Sequence, residues 1–471
     1  MADEALLPGL NLAGLFRSEN GLGESARLLV AAVEASDIPF TTMTYTRSPS
    51  RQGHAFQERG PGRPIHDINI VAVNADHTIS FAADAGPGFF RDRYTIGTWA
   101  WETDRLPPRL FGAIDFVDEI WMPSEYSRRA AEKVTHKPTF SFPHPVVAPR
   151  YPADLGRQQL GMPSGYTFLF CFDFMSTARR KNPLGLVEAF KRAFLEGAGP
   201  QLVIKSANGD RRAEDRAELV AAIGSREDIT LVDRYVPPGW ITAMIAACDC
   251  YISLHRSEGF GLTLAEAMLL GKPTIATGYS GNLDFMTSEN SYLVRAAEVP
   301  VGPGIPIYPA EGMWGEPDLD DAARLMREVA ADPEAARAKG AIAREDIRTR
   351  HSVAARAELL SDRIATIRAR TLPFKRDFGP GFETLGTLQM AALAIGAEPK
   401  TDLPVAHGGL YTLAAKLGRR VFGRMMIPYR QHQNDVDRLL HETLAEQAAR
   451  IRRLEGELSA DRLNPDREDL S

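Results

Sequence analysis

The sequence predicts an α/β protein built on parallel sheets, and three observations predict it. Short apolar runs recur along the chain, each ending in a polar or glycine-rich turn and followed by a helical stretch. The stretch Cys250 to Asp284, CYISLHRSEGFGLTLAEAMLLGKPTIATGYSGNLD, spells strand, glycine turn, helix and strand, one unit of a parallel sheet. The same grammar occurs in both halves, which are separated by a proline-rich linker from Pro143 to Pro152.

A chain of 471 residues fits about three domains of ordinary size, or two larger ones plus an appendage. Hydrophobic residues make up 44% and charged residues 25%, the balance of a soluble globular protein. The net charge of -6 argues against a general nucleic-acid binder. The three cysteines, Cys171, Cys248 and Cys250, are too few and too apolar in setting for a disulfide framework or a zinc site. The opening MADEALLPGLN has no basic or long apolar region, and no apolar run is long enough to span a bilayer. The expected location is the cytoplasm, with peripheral membrane contact as the one exception.

In the first half, residues 1–150, Gly9–Phe16 reads as a strand. It runs into a turn holding Gly21, Leu22 and Gly23, then a helix to Ala35. Strand, glycine turn and helix N-terminus make an anion site, although tight turns use glycine in the same spacing. Residues 47–66, rich in Arg, Gly, Pro and Ser, read as a loop. Strands follow at Ile68–Val73, Tyr94–Trp101 and Glu119–Met122, each ending in polar residues. His77 and Glu102 stand out at two of those ends. Trp99 and Trp101 fit the core, or a stacking platform if exposed.

In the second half, residues 151–370, Tyr166–Phe174 is the first strand. A helix to about Leu195 follows, with Arg179, Arg180 and Lys181 at its start. The dipole at a helix N-terminus disfavours cations, so a bound anion would resolve the conflict; a solvated basic turn is the other reading. Gln201–Lys205 is a strand whose Lys205 either reaches a phosphate or lies on the surface. Ile229–Asp233 is the next strand, followed by Tyr235 and Val236.

The Cys250 strand leads to Glu258, Gly259, Phe260 and Gly261, and a helix begins at Leu262. Its amides favour a phosphate. Glu266 leans back from inside the helix toward the same place as Glu258. Two carboxylates there suit hydroxyls, and phosphate flanked by two sugars describes a nucleotide-sugar; on spacing alone Glu258 reads equally as an ordinary loop carboxylate. Thr263-x-x-Glu266 also fits a capping box, which would make Glu266 structural. Asp318–Arg370 reads as amphipathic helix. Within residues 371–471, Leu413–Met426 forms a basic amphipathic run suited to an anionic bilayer, or equally to an ordinary surface helix packed on the body. The series Leu444, Ile451, Leu454 and Leu458, interrupted by Gln447, resembles a short coiled coil, marginal on its own as an oligomer contact.

Glu258-Gly-Phe-Gly, with Glu266 eight positions on and GKPTIATGYSGNLDF continuing, resembles the paired-glutamate signature of glycosyltransferase family 4. That resemblance spans roughly residues 8–370 and implies the GT-B architecture: two Rossmann-like domains facing a cleft, with a helical C-terminal extension. It implies retaining transfer of a hexose, mannose by family tendency, from a nucleotide-diphospho-sugar. The implied acceptor is a glycan or lipid-linked glycan of the bacterial surface, and neither metal nor cofactor is expected.

By the same resemblance, Gly21, Leu22 and Gly23 face the donor diphosphate. So do the amides of Gly259, Phe260, Gly261, Leu262 and Thr263. Lys181 matches the family's lysine, while its arginine five positions earlier falls on Ser176, leaving Arg179 or Arg180 to supply that charge. Glu258 is the hexose ligand, Glu266 the ribose ligand, and Tyr235 and Val236 border the base. The family's first-domain histidine has no clean match near Trp99-Ala-Trp101-Glu102. The rival readings are a non-catalytic sugar-nucleotide-binding assembly subunit and a GT-B epimerase. A dinucleotide oxidoreductase lacks its GxGxxG context.

Overall fold

The computed structural model describes residues 6–371 except 49, 148–150, 153 and 306. The basic run at Leu413–Met426 and the heptad series lie outside the described residues. One compact unit holds Asp92–Leu106 and the described parts of Met1–Asn74 and Val117–Lys375; Ala75–Arg91 and Pro107–Phe116 group separately.

The first sheet is built from β1 (Leu7–Gly14), β2 (Phe40–Thr44), β3 (His66–Ala72), β4 (Tyr94–Thr98), β5 (Glu119–Met122) and β6 (Thr139–Ser141). Its helices are α1 (Gly21–Glu34) and α4 (Glu125–Glu132); α2 (Ala75–Ala85) and α3 (Pro87–Phe90) belong to the separate group. The strands are all parallel, in the order β2-β1-β3-β4-β5-β6. The short edge strands β2 and β6 carry no clear alternation and are additions to the sequence reading. The strand expected over Tyr94–Trp101 stops at Thr98. Trp99 and Trp101 are 3% exposed, so they are core and not stacking platforms. His77 lies in α2, not at a strand end. In the separate group, the rings of Phe89 and Phe90 pack edge-on against Phe81, at 5.1 and 6.3 Å.

The second sheet runs β7 (Thr167–Asp173), β8 (Gln201–Ala207), β9 (Ile229–Asp233), β10 (Cys250–Ser253), β11 (Thr274–Thr277) and β12 (Tyr292–Val294). Its order is β12-β11-β10-β7-β8-β9, again all parallel. An antiparallel hairpin follows, β13 (Ala296–Pro300) with β14 (Met313–Pro317). The helices are α5 (Ala178–Lys181), α6 (Pro183–Ala193), α7 (Ala213–Ile223), α8 (Trp240–Ala247) and α9 (Leu262–Leu269), then α10 (Leu319–Ala331), α11 (Pro333–Arg350) and α12 (Val353–Thr371).

β7 is an unbroken apolar run because both of its faces are covered. Phe168, Phe170 and Phe172 pack toward α6 and α10, through Phe190 and Met326. Leu169 and Cys171 point the other way, toward Met244 of α8, Leu264 and Met268 of α9, and Ile347 of α11. The helix expected after Pro183 to about Leu195 is α6, and the cations before it form a separate short helix, α5, broken from α6 at Asn182, whose φ is 54°.

α12 packs against the first sheet's elements. Leu360, Ile364 and Ile367 join Leu10, Leu12, Ile68 and Leu29 in one core. Arg363 reaches the fully buried Glu119 at 2.7 Å, and Arg368 reaches Asp67 at 2.7 Å. Where the chain passes between the sheets, the Val146 N–H donates to the His351 carbonyl at 2.7 Å, tying the outward and return segments together. No helix among the described residues is long and apolar enough to cross a membrane.

Candidate active site

In an open parallel sheet, ligands bind beyond the carboxyl ends of the strands where the strand order reverses. That point lies between β1 and β3 in the first sheet, and between β7 and β10 in the second. The loops leaving those strands carry most of the residues singled out by sequence.

After β10 the chain runs through His255, Ser257 and Glu258 to Gly261, which starts α9 with φ 98° and no side-chain cap. The first-turn amides at Leu262 and Thr263 therefore stay uncapped. Thr263 is the second residue of α9 and not its cap, so the capping box does not form. Its side chain pairs with the buried Tyr251 phenol. Glu266, one turn in, is half-buried. Burial pushes its carboxyl up to about 8, and Glu24 in the first turn of α1 adds to the rise. Glu24 of α1 therefore lies near enough to Glu266 of α9 for the two charges to interact.

After β7 the chain makes a short 3-10 turn, Phe174–Ser176, and then α5. Arg179, Arg180 and Lys181 occupy the last turn of α5, where the dipole favours cations. The expected conflict with a helix N-terminus is therefore removed by the break at Asn182. These side chains also diverge. Arg179 turns to the hairpin, donating to the Pro303 carbonyl at 3.2 Å. Arg180 is buried: it donates to the Ser257 carbonyl at 2.8 Å and to Ser176, the position it was expected to replace, at 3.2 Å.

Arg180 lies 3.1 Å from the Glu258 carboxylate, and Lys181 is hydrogen-bonded to the other Glu258 oxygen. Burial alone would push the Glu258 carboxyl up; Lys181 and Arg180 overcome it and hold the group at about 2. His255 is fully buried, and that burial lowers it to about 4, so it is neutral.

The first sheet supplies a member of this cluster that the sequence reading left unassigned. Glu102, after β4, lies 3.9 Å from Arg180 and accepts from the Tyr308 hydroxyl at 3.1 Å. Tyr308 comes from the β13–β14 hairpin, and its ring meets Trp101 edge-on at 5.4 Å. The loop after β4 is stitched to the second sheet's loops. Ser127 Oγ donates to the carbonyls of Trp101 and Gly259, at 3.0 and 3.2 Å, and the Met313 N–H donates to Asp104 at 2.7 Å. An acidic residue at a strand end was the available signal for Glu102. Tyr308 had none, because its loop is placed only by the hairpin.

The turn before α1 is built differently. Asn20 caps the helix, accepting from the Gly23 N–H at 2.9 Å. A Cβ at Gly23 would lie 2.1 Å from the Ser18 carbonyl, whereas at Gly21 it would meet nothing within 4 Å. Gly21 and Leu22 sit at the first two helical positions, ahead of the amide that the cap takes.

Lys205 is buried rather than on the surface, and its Nζ donates to the carbonyls of Ser206 and Arg234 at 2.5 and 2.6 Å. It is not brought to the Glu258 cluster by any contact described. Tyr235 lines a cavity of ≈ 450 Å³ with Asn208, Asp210, Arg216, Asp233 and Arg234, and half-buried Val236 follows it. The Tyr235 hydroxyl donates to Asn208 at 2.9 Å, and Arg51, from the loop before β3, lies 4.9 Å over its ring. Among the described residues no group of three or more His, Cys, Asp and Glu side chains is placed to hold a metal ion.

Residues 168–299 match the model of the family described as Glycosyl transferases group 1. The chain resembles the solved structure of sucrose-phosphate synthase from Thermosynechococcus elongatus. The TM-score is 0.57 at 17% identity, over 77% of this chain and 100% of that one. It also resembles a glycosyltransferase from Rickettsia africae, with TM-score 0.56 and 13% identity over 77% and 99%. A third is Anabaena HepE, solved in complex with UDP and glucose, with TM-score 0.55 and 12% identity over 76% and 100%. A search of curated protein sequences finds no match to the chain. The architecture is GT-B.

Proposed function

We propose that the protein is a retaining glycosyltransferase that moves a hexose from a nucleotide-diphospho-sugar to a hydroxyl of a glycan acceptor. The observation that carries this reading is the Glu258 carboxylate held by Arg180 and Lys181 at the second sheet's switch point, beside the uncapped start of α9. Neutral sugar and anionic diphosphate need different neighbours, and this cluster offers both within one turn.

In this reading the ion pair belongs to the donor-free enzyme. When the donor arrives, Lys181 exchanges a Glu258 oxygen for a phosphate oxygen, and Glu258 turns to hexose hydroxyls, so no buried charge is left alone at any stage. Arg180, tied to two carbonyls, keeps Glu258 in place and adds its charge to the leaving-group field. The α9 amides accept the diphosphate, Glu266 takes ribose hydroxyls, and Gly21 and Leu22 face the same phosphates from α1. Glu102 closes the hexose site from the first sheet's side. The bond from the anomeric carbon to the diphosphate breaks, and the acceptor oxygen bonds on the same face. The acceptor proton passes to the departing phosphate oxygen. Positive charge on the protein stabilises that departure, so turnover should persist in chelator.

Mannose is the favoured hexose, by the tendency of the family resembled. The favoured acceptor is a bacterial surface glycan, met in the cytoplasm or at the inner membrane face. The experiment is a panel of nucleotide-sugars scored by thermal shift and by release of nucleoside diphosphate, with and without glycan acceptors. Turnover by wild type that is lost in Glu258→Ala supports the reading. Binding without turnover for every donor and acceptor would favour the non-catalytic subunit, and release of free sugar with no acceptor dependence would favour the epimerase.

A further inference from the structure

Ser280 holds a backbone conformation that few residues with a Cβ adopt. Its φ is 78° and its ψ is -149°, a region populated almost entirely by glycine. The residue is 5% exposed and sits between β11 and the 3-10 turn Gly281–Asp284.

That conformation has one clear product. The Ser280 Oγ accepts from the Glu258 N–H at 2.8 Å, and the Gly281 N–H donates to the Glu258 carbonyl at 2.9 Å. Both backbone polar groups of Glu258 therefore end on two consecutive residues. The approach is so close that a Cβ at Gly281 would lie 2.2 Å from the Gly259 carbonyl.

Asn282 locks the same turn to two strand ends. Its amide nitrogen donates to the Thr277 carbonyl at 3.0 Å, which leaves its Oδ1 to accept from His255 Nε2 at 3.1 Å. His255 Nδ1 is then the acceptor for Ser253 Oγ, at 3.1 Å.

We infer that Ser280 is a positioning residue for Glu258, holding its backbone where the carboxylate meets Arg180 and Lys181. The inference rests on the role proposed for Glu258 at the hexose. Glycine would make this turn without strain, but it has no side-chain acceptor for the buried Glu258 N–H, which the Ser280 hydroxyl occupies. The strained serine is thus the residue that satisfies both demands.

Ser280→Gly removes strain and hydroxyl together, whereas Ser280→Ala removes the hydroxyl and keeps the strain. Loss of one hydrogen bond to the Glu258 backbone is expected to lower kcat for the donor about tenfold in both variants. Inhibition by the free nucleoside diphosphate should stay at its wild-type value in both, since the product lacks the hexose. The Gly variant should melt several degrees above the Ala variant. Activity and stability would then part company, which a merely structural role does not produce.

Wild-type kcat in Ser280→Gly overturns the positioning role, and so does activity that tracks Tm across the three proteins. Equal Tm values for the Gly and Ala variants overturn the strain. If wild type releases nucleoside diphosphate from no donor, the reading of the whole site falls and the role of Ser280 falls with it. That outcome is distinct from an active wild type beside an unimpaired Gly variant.

Discussion

Two helices begin where the sequence suggests glycine-bearing turns, and they begin differently. α1 starts under a side-chain cap, with Asn20 on the Gly23 N–H and the acidic Glu24 in its first turn, paired to Arg27 at 2.6 Å. α9 starts at Gly261 in the left-handed region, with no side-chain cap and no acid in its first turn. In sequence the two turns look alike. Glycine spacing says only that the backbone can turn; capacity for an anion depends on whether the first amides are already spent and on the sign of nearby charge. By that measure α9 is the stronger anion site and α1 the helix with a self-sufficient start.

The contrast can be broken or sharpened by substitution, and the largest effect is expected at the α9 side. Glu258→Ala leaves buried Arg180 and half-buried Lys181 with Glu102 as the nearby carboxylate. Stability should fall by about 3–5 kcal/mol, and donor turnover by about 10²–10³-fold. Denaturant melts and product-release rates check both. The pair also sets an acid limit. With its folded pKa held at about 2, below the ordinary 4.5, Glu258 contributes stability that is present above 4.5 and lost as pH falls toward 2. An acid titration of Glu258→Gln beside wild type should show the two converging there.

Gly261→Ala comes next. A Cβ at φ 98° costs about 1–2 kcal/mol, and it should weaken binding of a nucleoside diphosphate as well as lower Tm. Unchanged affinity would remove α9 from the anion site.

Glu266→Gln probes the carboxyl that faces Glu24. A carboxyl whose folded pKa is raised to about 8 costs stability as it ionises, so its full contribution is present below 4.5 and is lost as pH rises through 8. The variant should match wild type at low pH and melt higher in alkali. Glu24→Gln, which removes part of the rise, should shrink that divergence.

The smallest effect is expected at α1. Asn20→Ala should lower stability by about 1 kcal/mol and leave turnover near wild type. A large loss of donor affinity instead would mean that the first helix start matters as much as the second.

What the sequence made legible follows from distance along the chain. β10, the Glu258 turn, α9 and β11 fall within one short stretch, and each has its own local signal: apolar run, glycine, periodic helix, apolar run. The same holds for the Lys181 and Gly21 loops. β6, with half-buried Thr139, Phe140 and Ser141, shows no alternation, and β13 carries exposed residues and ends on Pro300. The helical character of 353–371 was readable, but nothing local says which sheet it will pack against. Glu102 and Tyr308 are 206 positions apart, so only the folded chain brings them together. The divergence of Arg179 from Arg180 was likewise hidden, because a left-handed Asn182 decides where one helix ends and the next begins.

The late return of α12 to the first sheet sets an order of events for a chain emerging from the ribosome. Glu119 is sealed among Trp121, Tyr94 and Arg363, yet its guanidinium partner is translated 244 positions later. The leading half must therefore wait, with a carboxylate lacking its counter-ion and an apolar face lacking Leu360 and Ile364. The trailing half, whose own sheet closes on residues 167 to 294, has fewer reasons to wait. Synthesis begins with one half, and completion is expected to begin with the other.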